Sequence, residues 1–262
     1  MRSGVTPRRI PGLTPMTAEE HGHSVFMHVP TGMRQEAMMS TAQRPPALKP
    51  LSAGGRLGAL AGVAFAVLFF LGTAMLDIPH GLSDEKTVAW WSESGNRTTA
   101  VVSMYCFTVA GLCFIAFLVQ LRSRLLVAEG GTGTLTALVV VSGAVFVAML
   151  LVAAMARGLI GFAVESPWLD EPLPGPDTLR YLPQIGATAL GVGGLLSAAV
   201  TIATASWLIL RTAVFPRWLA WLGFLATLLI VAASATLSGV LALPAVLVWA
   251  LATSVALWRS AR

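Results

Sequence analysis

Apolar residues run along this chain in blocks of about twenty, separated by short polar or charged stretches, with no sustained alternation of period two. A helix rises about 1.5 Å per residue, so about twenty apolar residues cover the roughly 30 Å hydrocarbon core of a bilayer. Barrel strands alternate over about ten residues and do not read this way. The pattern predicts an all-α, polytopic transmembrane bundle of six spans, over 57–76, 99–121, 135–156, 181–210, 218–237 and 240–258. Residues 238–239, Ser-Gly, leave room only for a minimal turn, so the last two spans form a hairpin. A proline-rich tail, 1–56, precedes the bundle and is read as a disordered, basic, cytoplasmic segment; 259–262 form the other cytoplasmic end.

The segment 181–210 contains no charged residue and no histidine. Ala187, Gly191, Gly194, Ala198, Thr201 and Ala205 recur at a 4-3-4-3-4 spacing, which places them on one helical stripe. In lipid, small residues let a neighbouring backbone approach closely, and packing drives the association. This helix is therefore expected to be the one the others pack around. Gly54, Gly58 and Gly62 give the first span a similar face.

Loops carry the remaining detail. Between the first two spans, Ser83 followed by Asp84 and Glu85 reads as an N-cap with acids in the first turn. The pair Trp90-Trp91 then anchors a short interfacial helix. The stretch from Arg157 to Arg180 holds four prolines and reads as an extended loop, although apolar residues through Val164 allow the third helix to continue past Arg157. Pro183 and Pro244 are expected in first helical turns, where the missing N–H is harmless.

Composition agrees with the pattern. Of 262 residues, 56% are hydrophobic and only 11% charged, against about 25% charged in a soluble domain. The net charge of +5 does not indicate nucleic acid, because the basic residues flank apolar runs without interleaved aromatics. On the expected threading, the tail, the even-numbered loops and the C-terminus carry thirteen Lys/Arg and the opposite side four. Positive charge is retained in the cytoplasm, so both termini are placed there, in a multi-pass protein of the cell membrane.

Chemistry is sparse. On these boundaries every charged residue lies in the tail, the loops or the helix ends, whereas proton and ion pathways place ionisable groups within the membrane. The spans contain no histidine for haem, and no Walker loop, HExxH or GxSxG occurs. His21, His23 and His28 in the tail read as incidental rather than as metal ligands. Asn96-Arg97-Thr98 matches a glycosylation sequon only weakly. Cys106 and Cys113 are seven residues apart on one helix, about 10 Å along its axis, too far to pair. No catalytic, cofactor-binding or metal-binding residue is expected, and no cofactor. The ligand-facing candidates are Gln184, an amide at the outer end of the fourth span, and the loop acids Glu165, Asp170 and Asp177 beside it, with His80 and Glu171 nearby.

Two stretches carry a family resemblance. One is Leu121-Arg122-Ser123-Arg124-Leu125 followed by Ala128-Glu129-Gly130-Gly131. The other is Phe215-Pro216-Arg217-Trp218-Leu219-Ala220-Trp221-Leu222-Gly223. With the Trp90-Trp91 and Asn96-Arg97 loop, they resemble uncharacterised multi-span integral membrane proteins of actinobacterial type. The resemblance covers about 57–258 and implies the topology; it carries over no activity and no site residue. The expected role is that of a non-enzymatic packing or accessory subunit of a membrane complex. Its expected partners are the lipid bilayer and either another membrane protein or further copies of itself. The alternative is a carrier or channel for a neutral or apolar small solute.

Overall fold

The computed structural model describes residues 53–75, 83–169, 171–236 and 242–260. The tail through residue 52 with its histidines, His80, Asp170 and the turn at Ser238-Gly239 lie outside the described residues. Among those described, all regular structure is helical: α1 (Ala53–Ala74), α2 (Asp84–Ser92), α3 (Ser94–Glu129), α4 (Thr134–Glu165), α5 (Pro176–Thr212), α6 (Arg217–Ala235) and α7 (Leu243–Arg259). Five of these, α1 and α3 to α6, are long and apolar enough to cross a membrane; α7, with 17 residues, is shorter.

Several helices outrun their apolar runs. Helix α3 continues through Arg122, Ser123 and Arg124 to Glu129, because none of these residues breaks a helix. It stops at Gly130, whose φ of 62° suits only a residue without Cβ strain. Helix α4 continues through Arg157 to Glu165, so Arg157 is helical and lies eight residues inside the end, about 12 Å along the axis. The expected loop after the third span shrinks to residues 166–175. Helix α5 begins at Pro176, which makes Pro183 an interior proline rather than a first-turn one. Pro244, by contrast, does sit in the first turn of α7.

The pairing is antiparallel between successive long helices. A Cβ on Gly58 or Gly62 of α1 would strike Gln120 and Phe117 of α3, and one on Gly62 would also strike Ser254 of α7. On α4, a Cβ on Gly143 would strike Leu118 of α3 and one on Gly158 would strike Met104. These contacts bring the start of α1, the end of α3, the start of α4 and the end of α7 to one end of the bundle. Ser142 of α4 bonds Thr201 of α5 at 2.8 Å, and Gly223 of α6 lies against Ser206 of α5, which adds the α5–α6 junction to the same end.

Helix α4 packs extensively on both α3 and α5, and α5 also meets α2, α3, α6 and α7, so α5 belongs to the packing centre as its small-residue stripe predicts. A chain of buried rings joins the other central helices. Phe65 of α1 lies 4.7 Å from Phe114 of α3, which lies 5.1 Å from Phe146 of α4; Phe117 meets Trp249 of α7 edge-on at 6.3 Å. Aromatic side chains bury the most area per residue, and these rings hold α1, α3, α4 and α7 together, while α5 packs between α4 and α6 through its small residues.

Candidate functional site

Described charges other than Arg157, which lies within α4, sort to the two ends. One end carries Arg56, Arg122, Arg124, Arg211, Arg217 and Arg259 against a single carboxylate, Glu129. Both oxygens of Glu129 are engaged: they accept from the N–H groups of Leu135 and Thr136 and from the Thr136 hydroxyl, at 2.5–2.9 Å. It thereby satisfies free donors at the start of α4, as a helix N-terminus requires. The opposite end carries Asp84, Glu85, Glu93, Glu165, Glu171 and Asp177 with Lys86, Arg97 and Arg180.

At this carboxylate end a second small core forms from Trp91, Ala100, Ile160 and Leu179, with Trp90 packed edge-on against Trp91 at 4.9 Å. Trp91 is turned into the protein rather than out to an interface. Helix α2 starts after Ser83, as the spacing predicts, but the Ser83 side chain makes no cap; its carbonyl accepts from Thr87 instead. Arg97 clamps the far end of α2. Its Nη1 donates to the Trp91 and Ser92 carbonyls at 2.8 and 2.7 Å, and its Nε donates to Glu165 at 2.7 Å. Asn96 adds a bond to the Trp90 carbonyl at 2.9 Å. These carbonyls are the groups a helix C-terminus leaves unsatisfied. Arg180 of α5 pairs with Asp84 at the other end of α2.

Of the ligand-facing candidates, Glu165 is committed to Arg97. Asp177 is exposed in the first turn of α5, and Gln184 is exposed two turns further on. No hydrogen bond or ion pair joins Glu165, Asp177 and Gln184. Asp170 lies outside the described residues. The Asn96-Arg97 pair is the functional-looking element that sequence reasoning did not assign. Its visible signal was a basic residue just past a short helix.

The small-residue stripe divides in two. Gly194, Ala198, Thr201 and Ala205 are buried, whereas Ala187 and Gly191 are half-buried. A Cβ on Gly191 would meet nothing within 4 Å. The cause lies between the halves: residues Ala189–Gly194 are π-helical. Bonding from i to i+5 widens the turn, so upstream of it the inward positions are Pro183, Gly186 and Leu190, one residue earlier than an unbroken α-helix places them.

Many hydroxyls in the long helices bond their own backbone, four residues back; half-buried Thr108 and Thr227 and buried Thr253 and Ser254 do so at 2.8–2.9 Å, whereas the Ser206 and Ser234 hydroxyls are buried without a partner. Ser103 instead reaches the Gly72 carbonyl of α1 at 2.7 Å. Cys106 and Cys113 are both free and half-buried. The described residues bring together no group of three or more His, Cys, Asp or Glu able to hold a metal ion. Comparison with protein-family models, with curated proteins and with solved structures finds no match.

Proposed function

We propose that the chain is a six-span protein of the cell membrane, of the actinobacterial type its Leu121–Gly131 and Phe215–Gly223 stretches resemble, and that it serves as a non-enzymatic packing or accessory subunit. Both termini then face the cytoplasm, the side on which arginine is retained. Helix α7 supplies the sixth span. The observation that carries the reading is the partition of charge: the described charged groups other than Arg157 stand at the two ends, and most hydroxyls between them bond backbone carbonyls. An ion or proton path needs ionisable groups at depth, and a membrane enzyme needs a cluster of reactive ones.

Gly191 is the position where a partner fits. It is half-buried, has open space where a side chain would stand, and is flanked by exposed Val192 and Leu196. A single cysteine at Gly191, in a chain with Cys106 and Cys113 replaced by Ser, should crosslink to a second membrane chain in native membranes. The same substitution at buried Gly194 should not. A stable Gly191→Cys protein that captures no chain refutes the intermolecular role.

The second reading, a carrier for a neutral solute, has its own support. Pro183 and the π-helical turn interrupt α5, and interrupted helices build substrate sites in many carriers. Proteoliposome swelling with glycerol and urea tests it; rates equal to those of empty liposomes reject it for these solutes.

A further inference from the structure

Arg124 stands apart from the other arginines of its end. It is 9% exposed, and its Nε and Nη2 atoms are buried without a hydrogen-bond partner. Those two nitrogens form one edge of the guanidinium, the edge that grips two oxygens of a carboxylate or phosphate at once. Arg124 shares a helical stripe with the core residues Phe117 and Leu121, so the edge belongs to the inward face of α3. It also lies five residues before the end of α3 at Glu129, about 7.5 Å along the axis, which is headgroup depth for a helix that spans a bilayer.

Burying an ion without a partner is among the costliest arrangements in a protein. The chain's own described groups do not relieve it. Glu129, the one described carboxylate at this end, has both oxygens engaged by Leu135 and Thr136. The other described charged groups at this end are arginines, which cannot pair with it. A compact dianionic or monoanionic group with two oxygens on one face completes it.

We infer that Arg124 is the core of a phosphate-binding site between the helix ends, one that takes either the phosphate of an anionic lipid headgroup or free inorganic phosphate. Basic pockets between transmembrane helices bind lipid phosphates in this way. The inference is independent of the accessory-subunit reading: a carrier or a subunit would hold the same anion.

The test uses the full chain in detergent. Native mass spectrometry with phosphatidylglycerol, against phosphatidylcholine as the control lipid, reads the lipid arm; thermal protection by inorganic phosphate reads the free-anion arm. Wild type should retain phosphatidylglycerol, or be protected by phosphate, at about tenfold lower ligand concentration than Arg124→Gln, a difference of about 1.4 kcal/mol. Arg122→Gln, at an exposed position, should leave binding unchanged. Arg124→Lys keeps the charge without the two-pronged edge and should lose most of the binding; it also serves if Arg124→Gln does not elute as a folded protein. Dependence on phosphatidylglycerol alone identifies a lipid site, and dependence on phosphate identifies a free-anion site. Binding that is equal in Arg124→Gln, Arg124→Lys and wild type, or that falls equally in Arg122→Gln, overturns the proposal.

Discussion

Gly161 allows the sharpest test of how closely α3 and α4 must approach. A Cβ built there stands 2.6 Å from the Arg97 carbonyl oxygen and 3.1 Å from Val101 Cγ2. Carbon and carbonyl oxygen rest at about 3.3 Å or more, so Gly161→Ala must open this contact by about 0.7 Å. The obstacle is backbone, which cannot rotate away as a side chain can. Opening it also pulls on the Arg97–Glu165 pair and on the small core at Trp91, which sit at the same level. Against this, alanine gains about 1 kcal/mol over glycine in a helix interior. Overpacking of a tight site costs about 1–3 kcal/mol, and loss of the clamp adds to that, so the net expectation is a loss of about 1–2 kcal/mol. For a chain of this size that is a fall in melting temperature of about 2–8 °C. Gly95, where a Cβ meets nothing within 4 Å, is the matched control; Gly95→Ala should gain about 0.4–1 kcal/mol. Both shifts can be read with a thiol-reactive dye, because Cys106 and Cys113 become fully accessible on unfolding. A Gly161→Ala protein as stable as wild type would refute the close approach.

Other consequences follow from the same geometry. Arg97→Ala removes three hydrogen bonds from a side chain that is 15% exposed; charged bonds of this kind contribute about 1.5–3 kcal/mol each at most, and the expected loss is about 2–3 kcal/mol. Because α2 loses its clamp, trypsin should cut at Lys86 much faster than in wild type, and unchanged cleavage would count against the clamp. Thr201→Val and Ser142→Ala each break the α4–α5 bond, at about 0.6–1 kcal/mol in a membrane helix bundle. A double-mutant cycle in mixed micelles should show coupling between them, and zero coupling would mean the bond contributes nothing.

The long helices were legible because apolar runs of about twenty residues have few soluble alternatives. The sorting of charge to two ends followed from the same reading. Helix boundaries were not legible. Arg122, Ser123, Arg124 and Arg157 look like loop residues by polarity, yet all of them tolerate helix, and only Gly130 and the Ser166-Pro167 pair stop the chain. The inward turn of Trp91 depends on Ile160 and Leu179, far away in sequence. The Arg97–Glu165 bond spans 68 positions, and no local pattern announces it. The π-helical turn was hidden for a different reason: its Ala-Leu-Gly-Val-Gly-Gly sequence is equally compatible with α-helix, and its glycines pack against Met149, far away in sequence.

That wide turn makes α5 sensitive to length in a way it is not to side-chain identity. Each α-helical residue advances the chain by about 100°. Deleting one residue between Ala189 and Gly194 would let the turn relax to α-helix with Pro183, Gly186 and Leu190 still in line with Gly194, Ala198 and Thr201. Inserting one would instead rotate one half of α5 against the other by about that angle, and one of those two sets would leave its seat on α4. Substitutions within the segment change local fit alone. Across divergent copies of such a gene, this stretch should therefore drift in composition, while its residue count holds or falls by one together with the wide turn and does not grow by one.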